Sequence, residues 1–133
     1  MTKFRNTTSN SSLKYAVRGI FIAVKTQKNI RISLFIAFIV LLAAVLFGFS
    51  AVEVALVLIT SSFVIFAELV NTTIEYVVDT YFRNQYSKIA EISKDVAAAA
   101  VLFAVLNSVV VGLLLFLPKI AEKIDALLFV IYP

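Results

Sequence analysis

Cysteine, histidine and tryptophan are absent from the chain, and glycine occurs only three times. Without cysteine there is no disulfide, no thiolate metal site and no thiol nucleophile. Without histidine the commonest proton shuttle and metal ligand is missing as well. Three glycines do not furnish a Walker-type or Gly-rich phosphate loop, which excludes a soluble nucleotide-binding fold. Charge is scarce too: 15% of the residues are charged and 62% hydrophobic, against about 25% and about 45–50% in ordinary soluble domains. A soluble domain of 133 residues would need a polar surface that this chain cannot provide, so hydrocarbon must be the solvent for much of it. Any chemistry therefore runs on carboxylates, amides, hydroxyls and amines.

What is present reads as an all-α integral membrane protein in a single domain, residues 1–133. About 30 polar and basic residues precede the first strong apolar run, and no A-x-A-like site follows a short apolar core, so no cleaved signal is expected. Residues 1–12, "MTKFRNTTSNSS", read as a flexible start ending in the capping residues Ser11 or Ser12. Over 13–28, Leu13, Val17, Ile20, Phe21 and Val24 fall at helical spacing among Lys14, Arg18, Lys25 and Lys28, which predicts an amphipathic helix lying at the membrane interface. Its basic residues suit anionic headgroups, and nucleic acid is not expected as a partner.

Membrane-spanning helices are predicted over 30–49, 51–81 and 95–117. The first has Arg31 at its start and no charge inside, and about 20 residues suffice to cross about 30 Å of hydrocarbon. Gly48 is placed to end it, and Ser50 with Glu53 forms a capping-box pattern for the second. The third is expected to stop before Pro118, leaving 119–132 as a short, charged interfacial tail. Seven basic residues, Lys3, Arg5, Lys14, Arg18, Lys25, Lys28 and Arg31, stand at or before the start of the first span, whereas the 48–53 turn has none; this predicts a cytoplasmic amino terminus and a cytoplasmic 82–94 loop, with Lys119 and Lys123, which point the other way, outnumbered.

Against this apolar background, "FAELVNTTIEYVVDTYF" (66–82) contains Glu68, Asn71, Glu75 and Asp79. At about 100° per residue the four fall within an arc of about 80°, with Thr72 beside them. A carboxylate facing lipid costs about 2.5–3.5 kcal/mol, so the stripe must face other helices, a cavity, a cation or water. Paired carboxylates near a membrane surface suit Mg2+, which takes a few carboxylates together with substrate phosphates. A deeper carboxylate suits a general base. In "SKDVAAAA", Lys94 and Asp95 are expected beside a helix amino terminus, which favours phosphate oxygens. Plainer roles exist for each: Asp79 as a solvated helix end near Arg83, Asn71 as interhelical glue, and Lys94 with Asp95 as an ordinary first turn.

"AELVNTTIEYVVD" followed by "KDVAAAAVL", with "KYAVRGIFIAVKTQKNIRI" upstream, resembles the bacterial integral-membrane diacylglycerol kinase and undecaprenol kinase family over about residues 12–117. The resemblance implies a homotrimer in the bacterial inner membrane that moves the γ-phosphate of Mg2+-bound ATP onto the hydroxyl of a lipid alcohol, at sites near the cytoplasmic interface between subunits. It implies Glu68 as general base, Asn71 as an orienting group, Glu75 as a Mg2+ ligand, and Asp79, Lys94 and Asp95 as nucleotide-binding residues. "TQKNIRI" and "FAELVNTTIE" are more similar to the undecaprenol kinases than to the diacylglycerol kinases, so undecaprenol is the expected acceptor.

One departure stands out. Where the family has a second metal-binding glutamate, this chain has Gln27, which offers Mg2+ a neutral amide oxygen and one negative charge fewer. The expected result is a higher Mg2+ requirement. Two readings of other classes stand beside the kinase: a small cation- or proton-coupled transporter, and a catalytically weakened regulatory homologue, for which Gln27 is the only support.

Overall fold

The computed structural model of the chain describes residues 9–83 and 85–131, which fold into four helices: α1 (Ser9–Thr26), α2 (Lys28–Leu46), α3 (Ala51–Phe82) and α4 (Lys88–Ile131). The last three are long and apolar enough to cross a membrane. α1 begins at Ser9, ahead of the expected cap at Ser11 or Ser12. The break between α1 and α2 falls on Gln27 alone, in extended conformation at φ −104°, ψ 117°. The boundaries expected at 28 and 30 thus move towards the amino terminus, for a local reason. Arg31 Nη1 donates to the carbonyl oxygens of Val24 at 3.0 Å and Lys25 at 3.1 Å. That closes the carbonyl end of α1, where positive charge is favoured, and lets α2 restart at Lys28.

The α2–α3 turn follows the sequence closely. Gly48 has φ +74°. Its N–H donates to Val45 O at 3.0 Å, and that of Phe49 donates to Ala44 O at 3.0 Å, the paired bonds of a Schellman motif. Ser50 then caps α3 reciprocally. Its N–H donates to Glu53 Oε2 at 2.6 Å, and its Oγ accepts from the Glu53 N–H at 3.3 Å. At its other end α3 is closed by Arg83, a non-glycine residue in the left-handed region at φ 50°, ψ 40°, whose N–H donates to Asp79 O.

α4 departs from expectation at both ends. It starts at Lys88 rather than at 95, because Ser87 O accepts from the Glu91 N–H at 3.0 Å and Ile89, Ala90 and Ile92 already follow helical spacing. It also runs on through Pro118 to Ile131 as a single helix of 44 residues, so no separate tail begins at 119. Residue 132 of that expected tail lies outside the described residues. Proline removes one backbone hydrogen bond and crowds the preceding turn. Side-chain anchors beyond it hold the helix in place: Lys119 Nζ lies 3.9 Å from Glu53 Oε1, and Lys123 Nζ donates to Leu46 O at 3.1 Å and sits 4.6 Å from the centre of the Phe47 ring. Phe116 packs on Phe49 at 4.6 Å and on Phe47 at 5.8 Å between ring centres.

α3 lies between α2 and α4 and packs most extensively on α4. The buried apolar residues are mostly small: Ala44 on α2, Val57 and Ala67 on α3, and Ala90, Ala97 and Ala104 on α4. The three α4 alanines repeat every seven residues, forming a stripe that lets another helix approach closely without large side chains. Large apolar residues point outwards instead, among them Phe35, Phe38, Phe66, Phe103 and Leu114, as suits helices surrounded by lipid tails. Because α2, α3 and α4 alternate in direction, the α1–α2 break and the 83–87 connection share one end of the bundle. The 47–50 turn and Lys119 and Lys123 share the other.

Candidate functional site

The polar stripe of α3 is turned into the bundle. Glu68 is 8% exposed, Asn71 8% and Thr72 5%. Small neighbours make this burial possible, since Ala67 on α3 and the α4 alanines leave room for polar side chains between the helices. Asn71 Nδ2 donates to Glu75 Oε1 at 2.8 Å. That bond fixes the amide's orientation and leaves its carbonyl, Asn71 Oδ1, buried without a hydrogen-bond partner. A buried acceptor without a donor costs about 1–3 kcal/mol, and such an orphan in a native site calls for a ligand group to satisfy it.

Nearer the 83–87 connection, Glu75 and Asp79 are half-buried. Lys94 Nζ lies 2.6 Å from Asp79 Oδ1, joining α4 to α3. Both partners are more than a third exposed, so the pair contributes little to stability, of order 0–1 kcal/mol. It borders an open concavity of about 420 Å3 lined by Asp79, Phe82, Tyr86, Glu91 and Lys94 among others. Tyr86 O–H donates to Glu91 Oε2 at 2.8 Å, and Lys88 Nζ donates to Glu91 Oε1 at 3.0 Å.

Glu68, Asn71, Glu75 and Asp79 thus share one face of α3, and Lys94 reaches that face from α4. Asp95 does not join them. It is exposed and has no ion-pair partner among the described residues. Since α4 starts at Lys88, Lys94 and Asp95 lie well inside the helix and not at its amino terminus, so no free backbone N–H groups await an anion there. Gln27 sits at the same end of the bundle, where its Nε2 donates to the Tyr76 hydroxyl at 3.3 Å. Thr26 Oγ1 lies 2.9 Å from that same hydroxyl. Sequence reasoning passed over Thr26, Tyr76, Tyr86 and Glu91. Tyr76 follows Glu75 directly, but no periodicity marks it, because its partners lie about 50 positions away on another helix.

The pattern of the family described as prokaryotic diacylglycerol kinase matches residues 14–116. The chain is 42% identical to a diacylglycerol kinase of Synechocystis sp. over 109 residues, covering 82% of this chain and 62% of that protein. It is 33% identical to an undecaprenol kinase of Bacillus subtilis over 109 residues, covering 82% of this chain and 88% of that protein. The chain therefore spans less than two thirds of the Synechocystis relative. The matched region runs from α1 to Phe116 and includes Gln27, the α3 stripe and Lys94, so by its sequence the chain belongs to the prokaryotic diacylglycerol kinase family.

Proposed function

We propose that the chain is an ATP-dependent lipid kinase that moves the γ-phosphate of ATP onto the hydroxyl of a membrane lipid, with undecaprenol as the acceptor. The observation that carries this reading is the buried stripe: Glu68 and Asn71 at 8% exposure, with Asn71 tied to Glu75 at 2.8 Å, inside an otherwise apolar helix. A polar group held there at a stability cost is explained by work on a substrate.

In this reading Glu68 takes the proton of the lipid hydroxyl while the hydroxyl oxygen forms its bond to the γ-phosphorus. The bond from that phosphorus to its bridging oxygen breaks, and ADP leaves with the electron pair. Glu68 and Glu75 stand two helical turns apart, about 10 Å, which leaves the acceptor hydroxyl on the deeper side and the phosphates towards the bundle end. Asn71, between them, steadies Glu75 and offers Oδ1 to the reacting groups. Asp79 and Lys94 border the concavity that would take the nucleotide. Such a division of labour suits phosphoryl transfer, which depends on positioning and charge neutralisation.

Mg2+ fits the donors present. Glu75 has one oxygen outside its bond to Asn71, Asn71 Oδ1 is free, and no three acidic side chains converge among the described residues. Glu75 and Gln27 would hold the ion together with substrate phosphate oxygens, and it would neutralise charge on the transferring phosphate. The reading extends to a homotrimer in the bacterial inner membrane with a cytoplasmic amino terminus and α1 at the interface. Half-exposed Glu75 and the open concavity beside Lys94 support a site completed by a neighbouring subunit.

Diacylglycerol is the second reading of the acceptor, favoured by the 42% identity to a relative so named. The transporter alternative has no observation in its favour. Purified full-length protein in mixed micelles with γ-labelled ATP decides between the acceptors, with labelled undecaprenyl phosphate as the expected product. Label in phosphatidic acid alone would move the acceptor to diacylglycerol, and label in neither lipid would remove the kinase reading.

A further inference from the structure

Tyr76 ties the α1–α2 break to α3, and the hydrogens involved give that tie a direction. Thr26 Oγ1 already donates its hydrogen to Ile22 O at 2.9 Å, so towards Tyr76, 2.9 Å away, it can only accept. The Tyr76 hydroxyl spends its one hydrogen on Thr26 and accepts from Gln27 Nε2 at 3.3 Å. The run of bonds is then Gln27 amide to Tyr76 hydroxyl to Thr26 hydroxyl to Ile22 carbonyl, with one acceptor for each hydrogen. The backbone N–H of Gln27 is also used, donating to Ala23 O at 2.8 Å. What the run leaves over is Gln27 Oε1, an acceptor beside the residue that directly follows Glu75.

Glutamate in this place would reverse the run: an ionised carboxylate has no hydrogen to give, so Tyr76 would turn its own hydrogen to position 27, and Thr26 would have to move its hydrogen from the Ile22 carbonyl to Tyr76 to keep the tie. With glutamine at 27 the run keeps Thr26 on the Ile22 carbonyl and leaves the carboxamide oxygen outside it.

We propose that Tyr76 is a positioning residue: it clamps the α1–α2 break against α3 and leaves the Gln27 amide oxygen directed as a ligand for the divalent cation that accompanies ATP. This rests on the lipid-kinase reading of the site. It also implies that Gln27→Glu, despite its added charge, gains less metal affinity with Tyr76 present than with Phe at that position.

The test uses the full-length protein in mixed micelles. Tyr76→Phe keeps the ring and removes the hydroxyl, while Gln27→Ala removes the ligand. With Mn2+ and ATP but no lipid acceptor, electron paramagnetic resonance gives the affinity for Mn2+·ATP without turnover. Tyr76→Phe is expected to weaken it about tenfold, as removal of a group that orients a metal ligand does. Gln27→Ala should weaken it at least as much, and the double variant no further than Gln27→Ala alone, because Tyr76 acts only through Gln27. Turnover at saturating metal stays within about twofold of the parent in Tyr76→Phe. Hydrogen–deuterium exchange over residues 22–30 is expected to quicken in Tyr76→Phe, whatever the protein's activity. Unchanged exchange, unchanged Mn2+·ATP affinity in Tyr76→Phe, or losses that multiply in the double variant would each overturn the assignment. Failure of the kinase reading looks different: the parent protein would bind no Mn2+·ATP and label no lipid while exchange at the break still responded to Tyr76→Phe, and the metal role would fall with that reading.

Discussion

The two ends of the bundle are built from the same kinds of group and use them differently. At the 47–50 turn every polar partner is consumed by structure. Gly48 closes α2 with both bonds of a Schellman motif, Ser50 and Glu53 cap each other, and Lys119 and Lys123 are spent on Glu53 and on the Leu46 carbonyl. In the half of the bundle away from that turn, a carboxamide oxygen is left buried without a partner on α3, a carboxylate is sunk near the middle of α3 one turn deeper, and at the far end a non-glycine residue closes α3 in the left-handed region. One end is arranged for the fold, and the other retains groups that the fold alone does not need. Leftover polar capacity, more than the presence of acidic residues, separates a site from a cap.

Substitutions sharpen this contrast. The largest effect is expected from Glu68→Gln, which should lower lipid phosphorylation by about 10²- to 10⁴-fold, the usual contribution of a general base, while far-ultraviolet circular dichroism stays unchanged. Retained turnover would return Glu68 to a structural role. Glu75→Gln is expected to raise the Mg2+ concentration for half-maximal activity by about tenfold with less effect on the saturated rate, read from Mg2+ titrations at fixed ATP.

At the other end the effects belong to stability. Nothing lies within 4 Å of a Cβ added at Gly48, so Gly48→Ala meets no clash and its cost is the backbone conformation alone, about 1–2 kcal/mol. Unfolding in detergent should register that loss with turnover at low temperature unaltered. Arg83→Gly, at the end that carries the site but outside the α3 stripe, runs the other way and is expected to stabilise by up to about 1 kcal/mol. The relief of a left-handed side chain is offset in part by losing a cation at the carbonyl end of α3 and by greater freedom of the unfolded chain. If Gly48→Ala moved activity as well as stability, the division between the ends would not hold.

Much of this was legible in the sequence, and what was missed had physical reasons. The α2–α3 turn depends on residues adjacent in sequence, so Gly48, Ser50 and Glu53 announced it. The α3 stripe was legible because a helix converts spacing into a shared face, which places Glu68, Asn71 and Glu75 together. Proline at 118 misled, since its local effect is to end helices, whereas Lys119, Lys123 and Phe116 find partners on the 46–53 corner far back in the chain. The start of α4 was misplaced because Lys88, Glu91 and Lys94 look like loop polarity, although the apolar positions between them keep helical spacing. Tyr76 could not be found at all: its hydroxyl acquires meaning only when Thr26 and Gln27 are brought beside it.

The unbroken fourth helix sets a ruler along the molecule. At about 1.5 Å per residue its 44 residues measure about 66 Å, roughly twice the thickness of the hydrocarbon they must cross. A fluorophore or affinity handle attached near Ile131 would stand about 55 Å along that rod from Lys94, at the opposite end of the bundle, so the protein can be tethered or watched there without touching the polar face of α3.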